Sequence, residues 1–177
     1  MNGPPEVFTA DYVGEPGRRA FYLQVRSGTE VLTYALEKQQ VSLLAEKLQD
    51  LLLATDPEDT IRATPPARDP ALALTEPVEA RWRVSAIGLG YDDATGSMIV
   101  LLQPPPDPAL ADLDEDEPQL DPDAGDRYLL RRDQARAFVL HATAALAEGR
   151  PLCQLCGLPI DPEGHRCPAS NGHHPLG

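Results

Sequence analysis

The fold of this chain can be predicted outward from the stretch Ala20-Phe-Tyr-Leu-Gln-Val-Arg-Ser-Gly-Thr-Glu-Val-Leu-Thr-Tyr-Ala-Leu36. Apolar and polar residues alternate from Ala20 to Arg26, which predicts a β-strand with one buried face. Ser27-Gly28 predicts a turn, and Glu30 to Leu36 predicts a second strand that pairs antiparallel with the first.

The same alternation precedes this stretch, and a helical period follows it. Glu6 to Val13 predicts another strand, joined to the next through the turn residues Gly14-Glu15-Pro16-Gly17. The three strands should form an antiparallel meander. From Lys38 to about Leu53, apolar residues recur at steps of three and four, which predicts an amphipathic helix.

The second half of the chain contains further strands. Residues 58–77 carry four prolines and no regular period, which predicts a loop. Strands are predicted at Ala80 to Tyr91 and at Ser97 to Gln103, on either side of the hairpin loop 92–96, and the second of them should be central. A last short strand is predicted at Arg127 to Arg131.

An acidic, proline-rich run at 104–126 separates two of these strands, and its composition predicts a disordered insert. After the last strand, Asp133 predicts the N-cap of a second helix, which ends at Gly149. The sum is an α+β fold with one antiparallel sheet of five or six strands and two helices on one face. Residues 1–150 would form this domain, and residues 151–177 would form a zinc-binding tail packed on it or hanging from it.

The tail carries all three cysteines of the chain. Cys153 and Cys156 form a C-x2-C motif followed by Gly157, and His165 and Cys167 come within a dozen residues. Thiolates and imidazole are preferred ligands of Zn²⁺, and the loop rich in glycine and proline lets the chain return to the same ion. We predict a zinc knuckle with all four of these cysteine and histidine side chains as ligands. Four protein ligands close the site, so its expected role is structural.

Two other interpretations of the cysteines stay open. A redox pair is less favoured, because such C-x-x-C motifs open a helix after a strand, whereas this one follows a predicted helix. A catalytic zinc ion would require one of the four groups to be a bystander. His173, His174 and Asp161 are further donors that can replace one of the proposed ligands.

Charge and composition exclude several classes of function. The net charge of -13 and the pI of about 4.6 argue against binding to the phosphate backbone of nucleic acids. A membrane-spanning helix needs about twenty apolar residues in a row, and no apolar run in this sequence approaches that length. The first residues lack the pattern of a secretory signal. An odd number of cysteines beside a histidine fits a reducing compartment, so we expect a cytoplasmic protein.

Polar residues near two predicted strand ends form a second candidate site. Arg18 and Arg19 follow the first turn, and guanidinium groups beside turn amides can bind a phosphate or a carboxylate. Glu37 and Gln39 lie where the third strand meets the first helix, in the polar run 37–40, and can line a cleft. Solvated turn residues are the simpler interpretation.

An ordered series of motifs runs along the chain: Val13-Gly-Glu-Pro-Gly-Arg18, Phe21-Tyr-Leu-Gln24, Leu36-Glu-Lys-Gln-Gln-Val41, Gly149-Arg-Pro151 and the tail from Cys153 to Gly172. In this order they resemble the actinobacterial family designated domain of unknown function 3090. The resemblance implies an actinobacterial cytoplasmic protein, supports the architecture given above, and assigns no reaction.

The leading hypothesis is a zinc-stabilised, non-enzymatic binding or adaptor module with an unidentified protein partner. The metal would fold a tail that has too few apolar residues to fold unaided. The alternative is an enzyme or a small-ligand binder that uses a groove near Arg18, Arg19 and the junction 37–40. A deep pocket lined by those polar groups would favour the alternative.

Overall fold

The computed structural model describes residues 3–108, 120–121, 123–149, 152–158, 160 and 164–170. Within these residues the chain forms two β-sheets and two α-helices. The regular elements, in chain order, are β1 (Val7–Val13), β2 (Ala20–Ser27), β3 (Glu30–Leu36), α1 (Lys38–Thr55), β4 (Trp82–Arg83), β5 (Ala86–Asp92), β6 (Ser97–Gln103), β7 (Asp126–Leu130) and α2 (Arg132–Ala147). Short 3₁₀ helices lie at Ile61–Ala63, Pro70–Leu72 and Pro168–Ser170.

The predicted meander at the start of the chain is confirmed. β1 pairs antiparallel with β2, and β2 pairs antiparallel with β3. The register places Gln24 opposite both Thr9 and Thr33, so the three side chains form a row across the sheet. The prediction that the strand 97–103 is central also holds, because β6 lies between β5 and β7.

The prediction of one sheet with five or six strands is wrong, because the segment 80–91 is not a continuous strand. Its first part, β4, pairs parallel with β3 and completes a four-stranded sheet in the order β1-β2-β3-β4. The N–H of Val84 still donates to Ala35 O at 2.9 Å, whereas the N–H of Ser85 donates to Gln103 O at 2.9 Å. The chain therefore leaves the first sheet and enters the three-stranded sheet β5-β6-β7 within two residues, as at the corners of packed sheets.

Each helix is preceded by an N-cap residue whose backbone N–H donates a hydrogen bond to the side chain of the residue three positions later in the sequence. Glu37 precedes α1 and donates its N–H to Gln40 Oε1 at 2.8 Å, and Arg131 does the same with Gln134 Oε1 at 3.0 Å. The prediction that Asp133 caps the second helix is therefore wrong. Asp133 lies in the first turn of α2, where its negative charge is favourable.

The hydrophobic core lies between the helices and the two sheets. Phe8 of β1 packs on Phe138 of α2 with ring centroids 5.3 Å apart, and it also packs on Tyr128 of β7 at 5.9 Å. The hydroxyl of Tyr34, on β3, contacts the hydroxyl of Tyr128 and donates to Asp126 Oδ2 at 2.6 Å. These contacts join the two sheets and one helix into one core.

The opposite face of the first sheet is also covered, by the segment 68–75. We name this segment the strap. Gln24 donates to Thr75 O at 2.9 Å and accepts from the N–H of Thr75 at 2.8 Å, while Thr9 Oγ1 donates to Leu72 O at 2.6 Å. The predicted loop 58–77 therefore contains two 3₁₀ helices, and the strap buries the polar side of the sheet.

The predicted acidic insert lies largely outside the described residues, which omit 109–119 and 122. Of its described part, 104–108 carries no regular secondary structure, and Asp121 O accepts a hydrogen bond of 2.5 Å from Gln103 Nε2. In the part of the chain that the structure describes, no helix is both long and apolar enough to cross a membrane.

Candidate metal centre

The C-x2-C segment forms a tight turn closed by two backbone hydrogen bonds. The N–H of Gly157 donates to Cys153 O at 2.8 Å, and the N–H of Cys153 donates to Leu158 O at 2.8 Å. Gly157 has φ of +71°, a left-handed conformation that favours glycine. This conformation lets the chain fold back directly after Cys156, and the sulfurs of Cys153 and Cys156 lie within 4.8 Å of each other.

The second half of the cluster comes from a short segment after a glycine with φ of +93°, Gly164. It brings Cys167 Sγ to 3.8 Å from Cys153 Sγ, and it brings His165 Nε2 to 3.3 Å from Cys156 Sγ. One ligand atom from each of the four residues lies within 4.8 Å of the other three. The structure thus brings together the four side chains on which the metal prediction was based.

These distances can be compared with the edges of a zinc coordination tetrahedron. Zn–S bonds of about 2.3 Å and Zn–N bonds of about 2.0–2.1 Å give edges of roughly 3.8 Å between two sulfurs and roughly 3.5 Å between sulfur and nitrogen. The Cys153–Cys167 distance of 3.8 Å matches the first edge, and the Cys156–His165 distance of 3.3 Å is close to the second. The cluster can therefore hold one tetrahedral metal ion.

Backbone amides around the sulfurs favour the thiolate form at one position. Hydrogen bonds from the N–H groups of Cys156 and Leu155 lower the pKa of the Cys153 thiol to about 7. Burial raises the pKa of the Cys167 thiol, and the neighbouring thiols add to this effect, although a hydrogen bond from the N–H of Ala169 opposes it. The sulfurs are too close to carry several negative charges alone, and a divalent cation removes that penalty.

The rest of the knuckle buries little apolar surface. Leu152, Leu155 and Leu158 are 64%, 73% and 48% exposed, while the three cysteines are half-buried. The further donors considered above, Asp161, His173 and His174, lie outside the described residues.

The second predicted site is brought together only in part. Val13 pairs with Ala20 and Phe21 pairs with Leu36, so the turn before Arg18 and Arg19 lies at the same end of the sheet as Glu37. The guanidinium of Arg19 stacks on the Tyr12 ring, 4.0 Å from its centroid. The Glu37 carboxylate pairs with Arg83, which occupies it within the protein.

The described cavities do not join these residues. A cavity of about 640 Å³ lies between α1 and β5, and Gln40 of the polar junction lines it. A second cavity of about 590 Å³ lies between α1 and α2, and Gln39 lines that one. Arg18, Arg19 and Glu37 line neither of these two cavities.

The structure also contains a polar cluster that the sequence patterns did not predict, in which two members are buried and two are partly exposed to solvent. We name Asp11, Arg68, His141 and Glu148 the Asp11 cluster. Arg68 bridges the two carboxylates, with 2.5 Å to Asp11 Oδ2 and 2.9 Å to Glu148 Oε2. His141 Nε2 lies 3.1 Å from Asp11 Oδ2, and Tyr12 donates to Glu148 at 2.5 Å. The one available signal was a charged residue in a strand, Asp11, which on its own indicates a solvent-facing position.

Comparison with protein families identifies the chain. The family described as Protein of unknown function (DUF3090) matches residues 2–167, nearly the whole chain and all four residues of the metal cluster. The chain belongs to this family. No curated protein and no solved structure matches it. The match therefore confirms the predicted membership of domain of unknown function 3090, and the family description names no activity.

Proposed function

We propose that this DUF3090 protein is a zinc-stabilised, non-enzymatic binding module. The observation that carries the proposal is the closed set of Cys153, Cys156, His165 and Cys167, whose ligand atoms lie within 4.8 Å of one another. Three thiolates and one imidazole fill the tetrahedral positions of Zn²⁺, and zinc sites filled entirely by protein ligands are structural. Because the knuckle leucines stay exposed, the metal supplies the free energy that folds the tail.

His141, the more buried of the two described histidines, supports a binding role over an acid–base one. His141 is 1% exposed, and both of its ring nitrogens already have partners, Asp11 and the N–H of Asp69. A general acid or base needs a ring nitrogen that faces the substrate. The Asp11 cluster is accordingly a structural element, which fastens the strap and the end of α2 to the first sheet.

Elemental analysis of the untagged, reduced protein tests the metal site. We expect one equivalent of zinc in the wild-type protein and none in Cys156→Ser. Leu155→Ser is the matched control, since it changes the neighbouring residue of the same turn, which is 73% exposed and is no ligand. This variant should keep its zinc. Wild-type protein without metal, or a Cys156→Ser variant that retains a full equivalent, would contradict the proposal.

A second candidate function is the binding of a small anion by Arg18 and Arg19. The observation that favours it is Arg19, whose Nε is buried without a hydrogen-bond partner among the described residues. Titration calorimetry with inorganic phosphate at low salt tests this function. Binding by the wild-type protein that is at least about tenfold weaker in Arg19→Gln, a loss of about 1.4 kcal/mol, would support it. Absence of binding at millimolar phosphate would contradict it.

A further inference from the structure

A groove with apolar walls runs between α1 and β5. Its volume is about 640 Å³, within the range of ligand-binding pockets. Leu43 and Leu51 of α1 form one wall, and Ile87 and Leu89 of β5 form the other. Leu43 is 55% exposed, which is unusual for so large an apolar side chain in the middle of a helix. The groove is therefore a place where apolar surface remains to be covered.

The strand beside this groove is a sheet edge. β5 pairs with β6 along its whole length, and no strand within the described residues pairs with its other side. Natural edge strands are usually protected by lysine, proline or a bulge. The stretch Ala86-Ile-Gly-Leu-Gly-Tyr-Asp92 contains neither of those residues, and its register with β6 is continuous. Among the described residues, its outer N–H and C=O groups have no strand partner.

We propose that this groove binds an extended peptide of a partner protein, which adds a strand to β5. Backbone hydrogen bonds to the edge would hold the peptide, and every second side chain would enter the space between α1 and β5. The seven residues of β5 set the length of the recognised segment.

Charge indicates which partner fits. Among the described residues that line the groove, Lys47 and Asp50 are the charged ones, and they lie 3.7 Å apart and offset each other. Asp92 and Asp93 add two carboxylates where β5 enters its hairpin, and the whole chain carries a net charge of -13. The peptide should therefore be apolar at alternate positions and carry lysine or arginine beside them. A second copy of this chain, which is equally acidic, is disfavoured by like-charge repulsion.

The inference deepens the proposed binding role but does not depend on the metal. The probe is a phage-displayed library of random decapeptides, selected against the wild-type protein. We expect enriched peptides in which apolar residues alternate and basic residues flank them. Their binding should weaken at least about tenfold in Leu43→Glu, because the new charge would be buried on binding. Ser42→Glu, which adds the same charge on the adjacent exposed position outside the groove, should bind as the wild type does.

Backbone-modified peptides separate strand addition from simple filling of the groove. Two versions of an enriched peptide, N-methylated on the odd or on the even residues, each lose the N–H donors of one edge. One version should lose binding and the other should keep it. Cys156→Ser should bind the peptide like the wild type, so failure of the zinc proposal and failure of this one are distinguishable. No enrichment, equal binding by both methylated versions, or a concentration-dependent dimer that Leu43→Glu abolishes would overturn the proposal.

Discussion

His141 and Asp11 face each other inside the protein, although 130 positions separate them in the sequence. The distance from His141 Nε2 to Asp11 Oδ2 is 3.1 Å, and His141 Nδ1 accepts the N–H of Asp69 at 3.0 Å. Because Nδ1 is an acceptor, the proton of the neutral ring lies on Nε2 and is donated to the carboxylate. One imidazole thus connects α2, β1 and the start of the strap.

Replacing His141 by leucine should destabilise the protein by about 1–3 kcal/mol, because it leaves the Asp69 N–H without its acceptor and removes one donor from the buried Asp11. Urea unfolding followed by circular dichroism measures the change. Asp11→Asn and the double variant provide the control. Since the two residues form one network, the double variant should cost less than the sum of the single ones, by at least about 0.5 kcal/mol. Strictly additive effects would contradict the described contact.

Stability should fall in acid, and Asp11 and Asp59 are two of the carboxylates whose lowered pKa values cause this. Burial raises the pKa of Asp11, but the hydrogen bond from His141, the N–H of Tyr12 and the charge of Arg68 outweigh it. Burial also raises the pKa of Asp59, but hydrogen bonds from Arg132 and from the N–H of Ile61, together with the charge of Arg136, lower it by more. Both pKa values lie below 3.8 in the folded protein.

The sign of the acid effect follows from proton uptake. Below an ordinary pKa of 3.8 the unfolded chain binds protons that the folded protein does not, so acid favours unfolding. The contribution of these two carboxylates to the free energy of unfolding is complete well above pH 3.8. It disappears as the pH falls through the pKa values that they have in the folded protein. Thermal unfolding from pH 7 downward measures this effect. Asp59→Asn should lower the melting temperature at pH 7 and flatten its decline in acid. An equally steep decline in this variant would contradict the assignment.

The two tyrosines that join the sheets should contribute unequally to stability, and a tyrosine-to-phenylalanine variant of each one tests this. Tyr34 bonds both Asp126 and Tyr128, whereas the Tyr128 hydroxyl, among the described residues, shares only the bond to Tyr34. Tyr34→Phe therefore removes two hydrogen bonds, and we expect a loss of about 1–3 kcal/mol. Tyr128→Phe should cost about 1 kcal/mol or less. Denaturant midpoints of the two variants measure the difference, and the reverse order would contradict the described geometry.

Ionisation of the same pair provides an independent spectroscopic readout. Burial raises the pKa of Tyr128 to about 12, and burial together with Asp126 raises that of Tyr34 further above its ordinary value of 10. Tyrosinate absorbance should therefore show that these two of the five tyrosines titrate only when the protein unfolds in alkali. Early titration of all five would show that the pair is open to solvent.

The strands and helices were predictable wherever a single period dominates. β1, β2, β3 and α1 follow from alternation and from apolar steps of three and four, because each has one clearly apolar face. The division into two sheets was not predictable from the segment 80–91. Its alternation continues through Val84 and Ser85, and only the long-range partners Ala35 and Gln103 show that the strand changes sheets there.

The burial of the polar face of the first sheet could not be predicted from the sequence, because it also depends on a distant part of the chain. Thr9, Asp11 and Gln24 alternate with apolar residues, which indicates a solvent-exposed face, yet all three are at most 3% exposed. The strap covers them from another part of the chain, and its hydrogen bonds replace those of water. By contrast, the cluster of three cysteines and His165 was predictable, because its four side chains lie within fifteen residues and their spacing alone constrains the geometry.

Removal of the proposed zinc ion should unfold the tail and leave the two sheets intact. The knuckle leucines are exposed, so without the ion little apolar burial remains to hold residues 152–170 in place. Amide exchange by nuclear magnetic resonance, before and after dialysis against a chelator, measures both regions in one experiment. The amides of Cys153 and Gly157, now bonded within the turn, should exchange rapidly after chelation, whereas those of β2 and β6 should keep their protection. Global loss of protection would show instead that the ion stabilises the whole fold, and unchanged protection of the turn would show that the tail folds without metal.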